Sequence, residues 1–305
     1  MQKGHKLNTP EQAETLEQEF NAKIETHLRH YYKDCLGLYD WNRRVEDRKK
    51  EIPRAKAWLK AIEEISGLDL KDKKMLDIGC GWGGHIAAGA ELGADCVGCD
   101  VDREVLEVAE LRTRLYGIRA KFYCTAAEKL PFTDNEFDYV QTVAVLEHVQ
   151  DVRQSIKEMV RVLKPEGVGF VHTPNYWIPI EPHYKIVFPS KCPKSLAKVY
   201  LRLLARPTDF IDSINYLDYK TVKKMFETFG ASVTDIFKRF NELWQDYYQK
   251  EAGREEESMK IPVRSYNALA GKIMGRGSVI VRSIFQDFLG IRNVFFLFRK
   301  SGNRH

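Results

Sequence analysis

Apolar residues recur at helical spacing in the first part of the chain. Leu16, Phe20, Ile24, Leu28 and Tyr31 form one stripe, and Val45 to Ile65 carries a second. From residue 75 the period changes. Short apolar runs at 75–79, 95–100, 119–124, 137–143 and 168–173 alternate with helical patterns that start at Gly84 and span 103–116 and 152–163. Asp151 is placed to cap the last of these, and Ile156, Met159, Val160 and Leu163 give it one apolar face. Lys164-Pro-Glu-Gly167 should stop it. Thr221 and Gly230 bracket another helix, followed by strands at 231–237 and 293–298. Strands alternating with helices predict an α/β fold: a doubly wound, mostly parallel, seven-stranded sheet with helices on both faces. Residues 1–70 then form an N-terminal helical cap on a domain spanning 71–305. The stretches 176–217 and 239–290 are surplus to the sheet. Ligands of open α/β sheets bind at the carboxyl ends of strands. The cap and 176–217 are therefore expected to cover the site.

The most informative run is Met75-Leu-Asp-Ile-Gly-Cys-Gly-Trp-Gly-Gly84. It reads as a buried strand carrying Asp77, then a glycine-rich turn, then a helix start with free N–H groups. Gly79, Gly81 and Gly84 let the backbone come close to a ligand, because no Cβ intervenes. A carboxylate at this corner suits a ligand with a cationic amine. The same glycines also fit G-x-G-x-x-G, so a nicotinamide dinucleotide site and a ligand-free turn remain alternatives at this point. A second apolar run ends in Asp100, which is placed to hold the two hydroxyls of a ribose in either nucleotide.

The later segments choose between them. Leu130-Pro-Phe-Thr-Asp-Asn-Glu-Phe-Asp-Tyr-Val140, Leu146-Glu-His-Val-Gln-Asp151, Arg161-Val-Leu-Lys-Pro-Glu-Gly167 and Thr173-Pro-Asn175 follow Asp-x-Gly-x-Gly-x-Gly (Asp77 to Gly83) in order. This set resembles class I S-adenosylmethionine-dependent methyltransferases over about residues 75–175. The similarity is greatest to the type 11 subgroup, with ubiquinone-type O-methyltransferases and enzymes acting on cell-surface sugars. The resemblance implies a Rossmann-like fold and S-adenosyl-L-methionine as cofactor. It implies Asp77 at the methionine amine, Gly79 and Gly81 close to the ligand, Asp100 on the ribose, Val101 against adenine and the backbone at Ala126 and Ala127 at the adenine edge, with Cys80, Gly83 and Val143 also in the cofactor site. Relatives often carry an acid where Ala126 stands; Glu128 is the substitute expected here. The segment after 137–143 lines the methyl-transfer cavity in such enzymes. His148 is therefore the first candidate for a base that takes a proton from a hydroxyl, and His183, in Pro179-Ile-Glu-Pro-His-Tyr184, is the second. His85 and His172 read as structural. No metal-ligand set is read.

Composition narrows the classes further. No signal-peptide core and no apolar run of membrane-spanning length appears, so a cytoplasmic setting is expected. Six cysteines are present. Cys80, Cys96, Cys99 and Cys124 fall on or beside expected buried strands and read as small hydrophobes rather than a metal or redox site. The net charge of +5 is unevenly spread. Lys185 to Arg206 holds six basic residues and no acid, and Lys260 to Arg304 a single acid, Asp287. A solvated basic face is the plain account; a landing surface for an anionic acceptor or an anionic membrane leaflet is the functional one. The segment after 137–143 lacks the Asn/Asp-Pro-Pro-aromatic motif that grips a flipped base, so nucleic acid is not an expected partner. The reading is an O-methyltransferase acting on a small molecule, a sugar or glycan precursor. An aromatic, quinone-type or lipid acceptor is the second choice. An NAD-dependent oxidoreductase and a noncatalytic cofactor-binding module are the alternatives of another class. Oligomeric state is not legible.

Overall fold

A computed structural model describes residues 10–187, 191–252 and 293–301. The chain begins with α1 (Pro10–Arg29), a π-helical turn (His30–Cys35), α2 (Trp41–Lys49) and α3 (Ile52–Ser66). Helix α1 buries Leu16, Phe20, Ile24 and Leu28, the stripe its spacing predicts. The second pattern, expected from Val45 to Ile65, is two helices. Pro53 near the start of α3 lacks an N–H, so it suits a first turn and cannot continue α2.

The sheet is laid down as β1 (Lys74–Ile78), α4 (Gly84–Glu91), β2 (Asp95–Asp100), α5 (Arg103–Leu115), β3 (Ala120–Cys124), β4 (Phe137–Val143), α6 (Val152–Val162) and β5 (Leu163–Thr173). A short hairpin of β6 (Ile180–Glu181) and β7 (Ile186–Val187), helix α7 (Lys194–Leu203) and a 3-10 turn (Asp209–Ser213) occupy the first insertion. Helix α8 (Tyr219–Thr228), β8 (Ala231–Asp235), α9 (Phe237–Ala252) and β9 (Val294–Lys300) complete the described chain. The seven strands run β3-β2-β1-β4-β5-β9-β8. The first five are parallel, and β9 is antiparallel to both neighbours.

Three expected boundaries shift. Strand β5 starts at Leu163, directly after α6, rather than at 168, with a register shift opposite Phe137 and Tyr139. Helix α8 is capped by Asp218, whose carboxylate accepts the Thr221 N–H; Thr221 itself is already helical. Strand 231–237 ends at Asp235 because Phe237 opens α9. The second insertion therefore begins as a helix, and residues 253–290 of it lie outside the described residues, as does most of the basic run from Lys260. Cys96 and Cys99 are buried as expected, but Cys124 is exposed because β3 is the sheet edge. No helix among the described residues is long and apolar enough to cross a membrane.

Helices α6 and α8 cover one sheet face through Ile156, Met159, Val222 and Phe226, packed on Val140, Val171 and Phe296. Helices α3, α4 and α9 cover the other through Leu59, Ile62, Ile86 and Phe240, packed on Met75, Tyr139, Phe170 and Phe295. A third cluster joins α1 to α5 and to the first insertion: Phe20, Ile24 and Leu28 share it with Val108, Leu111, Tyr184, Leu201 and Ile211.

One buried cation ties these layers together. Arg112 of α5 is fully buried. Its guanidinium donates to the carbonyls of Trp82 (2.7 Å), Arg48 (2.9 Å) and Lys49 (3.3 Å), and lies 3.1 Å from Glu51. Arg48 closes the other side of Glu51 at 3.0 Å. Burial alone would raise the Glu51 carboxyl, but the charges of Arg112, Arg48 and Arg54 outweigh it and hold it down to about 2. Arg112→Met leaves that carboxylate short of a partner in the interior, so stability should fall by about 3–5 kcal/mol in urea unfolding. A loss below about 1 kcal/mol would contradict the network. A depressed folded-state value means that the stabilisation from Glu51 is complete above its ordinary 4.5 and is lost as pH falls toward about 2.

Candidate active site

The carboxyl ends of β1, β2 and β4 open into a cavity of about 1350 Å³, roofed by α1, α2 and the first insertion. The loop after β1 takes left-handed backbone at Gly79, Gly81 and Gly83, with φ of 69°, 53° and 79°. The glycines serve different neighbours. A Cβ on Gly79 would strike the Val145 side chain, and one on Gly84 would strike the Glu51 carboxyl. A Cβ on Gly83 would lie 3.0 Å from that of Ala109 in α5, and Gly83 does not line the cavity. Gly83 thus packs against α5, one step back from the cavity wall. Among these four, Gly81 alone would place a Cβ in open space. Gly84 leaves room for the Glu51 carboxyl of the cap and also borders the cavity.

Asp77, Cys80, Asp100, Val101, Ala126, Ala127, Glu128 and Val143 all border the cavity. Burial lifts the Asp77 carboxyl to about 7; the charges of Asp100 and Glu51 add to the rise, against a lowering by Gln141. A carboxyl in that state gains from a cation placed beside it. Asp100 holds the loop in place: its carboxylate accepts the N–H groups of Gly81 and Asp102, both at 3.1 Å. Val101 is 69% exposed, an apolar side chain with an open face at the cavity wall. Glu128 accepts the N–H groups of Gln150 and Asp151 at one carboxylate oxygen, which fixes the turn before α6. Its main visible task is therefore structural.

The far side of the cavity holds the histidines. His148 Nε2 and His183 Nε2 are 3.2 Å apart, so the two candidates, read from sequence as alternatives, form a pair. The β6–β7 hairpin supplies what sequence reasoning missed. Glu181 is fully buried, and its carboxylate accepts from His183 Nδ1 at 2.8 Å and from the Tyr184 N–H at 2.6 Å. A carboxylate only accepts, so it selects the Nδ1–H tautomer of His183. His183 Nε2 is then an acceptor, and His148 Nε2 carries the proton between the rings. Burial, together with the charge of His183, pushes His148 down to about 3. It is neutral throughout the physiological range. Phe210 packs on both rings, at 5.4 and 5.2 Å between centroids, and Tyr31 of the cap packs on Phe210.

Glu147, beside His148, is buried with one oxygen on Thr173 Oγ1 at 2.8 Å and the other without a partner among the described residues. Glu147, His148 and His183 each offer a ligand atom, all within 4.8 Å of one another. This set could hold a divalent ion, a grouping not read from the sequence. His85 and His172 border the cavity next to Trp58, and burial holds both near 4 and hence neutral. The cations that line the cavity are Arg44, Arg48 and Lys185. Lys191 and Lys194 of the basic stretch do not: Lys191 pairs with Asp218, and Lys194 donates to the Asp212 carbonyl.

Residues 76–171 match the family model of a methyltransferase domain. The chain is similar to the ubiquinone biosynthesis O-methyltransferase of Bartonella bacilliformis, with 36% identity over 102 residues, covering 33% of this chain and 41% of that protein. The ubiquinone biosynthesis O-methyltransferase of Brucella anthropi is 33% identical over 150 residues, 43% of this chain and 60% of that protein. The norajmaline N-methyltransferase of Rauvolfia serpentina is 40% identical over 100 residues, 31% and 34% of the two chains. The match thus spans between a third and three fifths of these relatives' lengths. In fold, the chain is similar to the crystal structure of a putative sarcosine dimethylglycine methyltransferase from Galdieria sulphuraria, with a TM-score of 0.50, 16% identity and coverage of 91% and 98%. The matched segment begins inside β1 and ends inside β5, and so contains the glycine loop, Asp77, Asp100 and His148. That segment is thus a methyltransferase domain, similar to those of the class I S-adenosylmethionine-dependent methyltransferases of type 11.

Proposed function

We propose that this protein transfers the methyl group of S-adenosylmethionine to a hydroxyl oxygen of a sugar or glycan precursor. The Glu181–His183–His148 chain carries the proposal. Bound at the glycine loop, the cofactor supplies a methyl group already activated for displacement. Asp77 would neutralise its amine, Asp100 would hold its ribose, and Val101 would cover adenine. A sugar hydroxyl is a poor nucleophile at neutral pH and needs a base in reach. His148 Nδ1 has no hydrogen bond among the described residues. It takes the hydroxyl proton as its Nε2 proton passes to His183 Nε2. Positive charge then rests on His183, against the Glu181 carboxylate, and His148 never holds it. That route accommodates the low value of His148, which would make it a weak base alone.

Lys185 favours a polar, anionic acceptor, while Arg44 and Arg48 at the same wall are paired with Asp40 and Glu51. Burial, with the charge of Arg44 added, lowers the Lys185 ammonium to about 7, so an acceptor phosphate or carboxylate would restore its charge. Two other readings have their own support. The Tyr31 and Phe210 rings, and the relatives named for ubiquinone biosynthesis, favour an aromatic acceptor. The unpartnered Glu147 oxygen favours a divalent ion held by Glu147, His148 and His183, which would acidify a hydroxyl directly. A cytoplasmic setting belongs to the same proposal: all six cysteines are free thiols.

Calorimetry with adenosylhomocysteine checks the cofactor corner. Asp77 must be ionised to pair with the amine, so affinity should rise between pH 6 and 8, across its value of about 7, with a proton released on binding. Asp77→Asn should weaken binding by about 1.5–3 kcal/mol and remove that pH dependence. Equal wild-type affinity at both pH values would refute the role.

Kinetics check the relay. His148→Ala should lower kcat by about 10²–10⁴-fold with adenosylhomocysteine affinity unchanged. Glu181→Gln should lower kcat and shift the pH–rate profile while KM for the acceptor holds. Loss of activity on chelation, restored by a divalent ion, would replace the relay with the metal reading.

A further inference from the structure

We propose that Asn215 is a positioning residue that holds His148 in line with His183. The inference rests on the proton relay of the proposed function. His148 stands on neither helix nor strand; a turn at 146–148 carries it between β4 and α6. A turn keeps one shape only when its backbone polar groups have partners. Ala144 opens this segment in left-handed backbone, at φ 58°, with its N–H on the His172 carbonyl at 2.8 Å. The His148 N–H closes the turn on the Val145 carbonyl at 2.7 Å. Beyond it, Glu128 accepts the N–H groups of Gln150 and Asp151. The carbonyls of the two residues that flank His148 remain, and one residue takes both. Asn215 donates its backbone N–H to the Glu147 carbonyl at 2.6 Å and its side-chain amide, Nδ2, to the Val149 carbonyl at 2.7 Å.

This staple fixes the chain on either side of His148, and with it the direction in which the imidazole leaves the backbone. The relay needs that precision. His148 Nε2 and His183 Nε2 are 3.2 Å apart, and a hydrogen bond of this kind is lost after a shift of roughly half an ångström. Packing alone does not set such a distance. Phe210 lies 5.4 Å from the His148 ring between centroids, and a ring contact of that kind lets the partner slide. Phe210 and Asn215 both belong to 209–217, so the insertion that covers the acceptor half also builds the seat of the base. Asn215 itself does not line the cavity. It therefore acts through His148 and touches neither cofactor nor acceptor.

Nitrogen NMR on the adenosylhomocysteine complex, with isotopically labelled histidine, tests the role. In wild type the shared proton should correlate with both His148 Nε2 and His183 Nε2, and His183 Nδ1–H on Glu181 should give a separate signal. His148→Ala removes the first signal and so assigns it. Asn215→Asp keeps the side chain's shape but sets an acceptor against the Val149 carbonyl; Asn215→Ala removes the group. Each should lose the His148–His183 correlation and keep the His183 Nδ1 signal, with adenosylhomocysteine affinity within about twofold of wild type. Retention of the correlation in both variants would overturn the proposal. Loss of both signals together with weakened adenosylhomocysteine binding would overturn it as well, because Asn215 would then support the fold at large. A wild type that shows the Nδ1 signal without the correlation would refute the relay itself, and the role of Asn215 with it.

Discussion

The position of everything around the cavity depends on the buried Arg112–Glu51 contact. Arg112 leaves α5 and reaches three carbonyls, one in the glycine loop and two at the end of α2. Glu51 comes from the junction of α2 and α3 and fills the space that Gly84 leaves open. Cap, loop and sheet layer therefore meet at one ion pair. Removing two charges from water is costly, and the cost is met here because Arg112 and Arg48 saturate the carboxylate. Hydrophobic packing of α1 on α5 is nondirectional and could accept several docked angles. The guanidinium, with its fixed fork of donors, accepts one.

That one angle sets the electrostatics of the two halves of the cavity. At the loop, burial raises both Asp77 and Asp100, and the charge of Asp100 raises Asp77 further, so the corner gains from a cation placed in it. At the histidine side the cap and first insertion remove water, and His148 cannot hold a proton alone. A sulfonium cofactor with an amine suits the first half. A proton passed along to a carboxylate-backed ring suits the second. Neither half would have these properties with the cap displaced, because burial is the leading cause of all three shifts.

Much of the fold was legible because its signals are local. The alternation of apolar runs and helical stripes gave the strand order's raw elements, and Asp77, the glycine turn and Asp100 lie on contiguous strand ends. The individual roles of the glycines were not legible. Gly83 and Gly84 answer to Ala109 and Glu51, residues 26 and 33 positions away in sequence, and nothing in the local pattern reports such neighbours. Nothing in the local pattern marks Arg112 apart from the other basic residues of α5. Glu181 had a weak local signal, since it stands two residues before His183 and can reach it within a tight hairpin. The basic stretch Lys185 to Arg206 divides: Lys185 lines the cavity, while Lys191 and Lys194 are held by Asp218 and the Asp212 carbonyl, and linear clustering does not report which cation goes where. Of the other cations that line the cavity, Arg44 and Arg48 are an i, i+4 pair on α2, in a helix whose docking no local rule predicts.

The central claim is that one cavity holds the cofactor at the glycine loop and presents its methyl group to the histidine pair. A crystal structure with adenosylhomocysteine tests it most directly. The account predicts the homocysteine amine within hydrogen-bond reach of Asp77, the ribose hydroxyls on Asp100, and the sulfur turned toward His148 and His183. A ligand bound at the loop with its sulfur turned away from both histidines, or one seated elsewhere in the cavity, would contradict it.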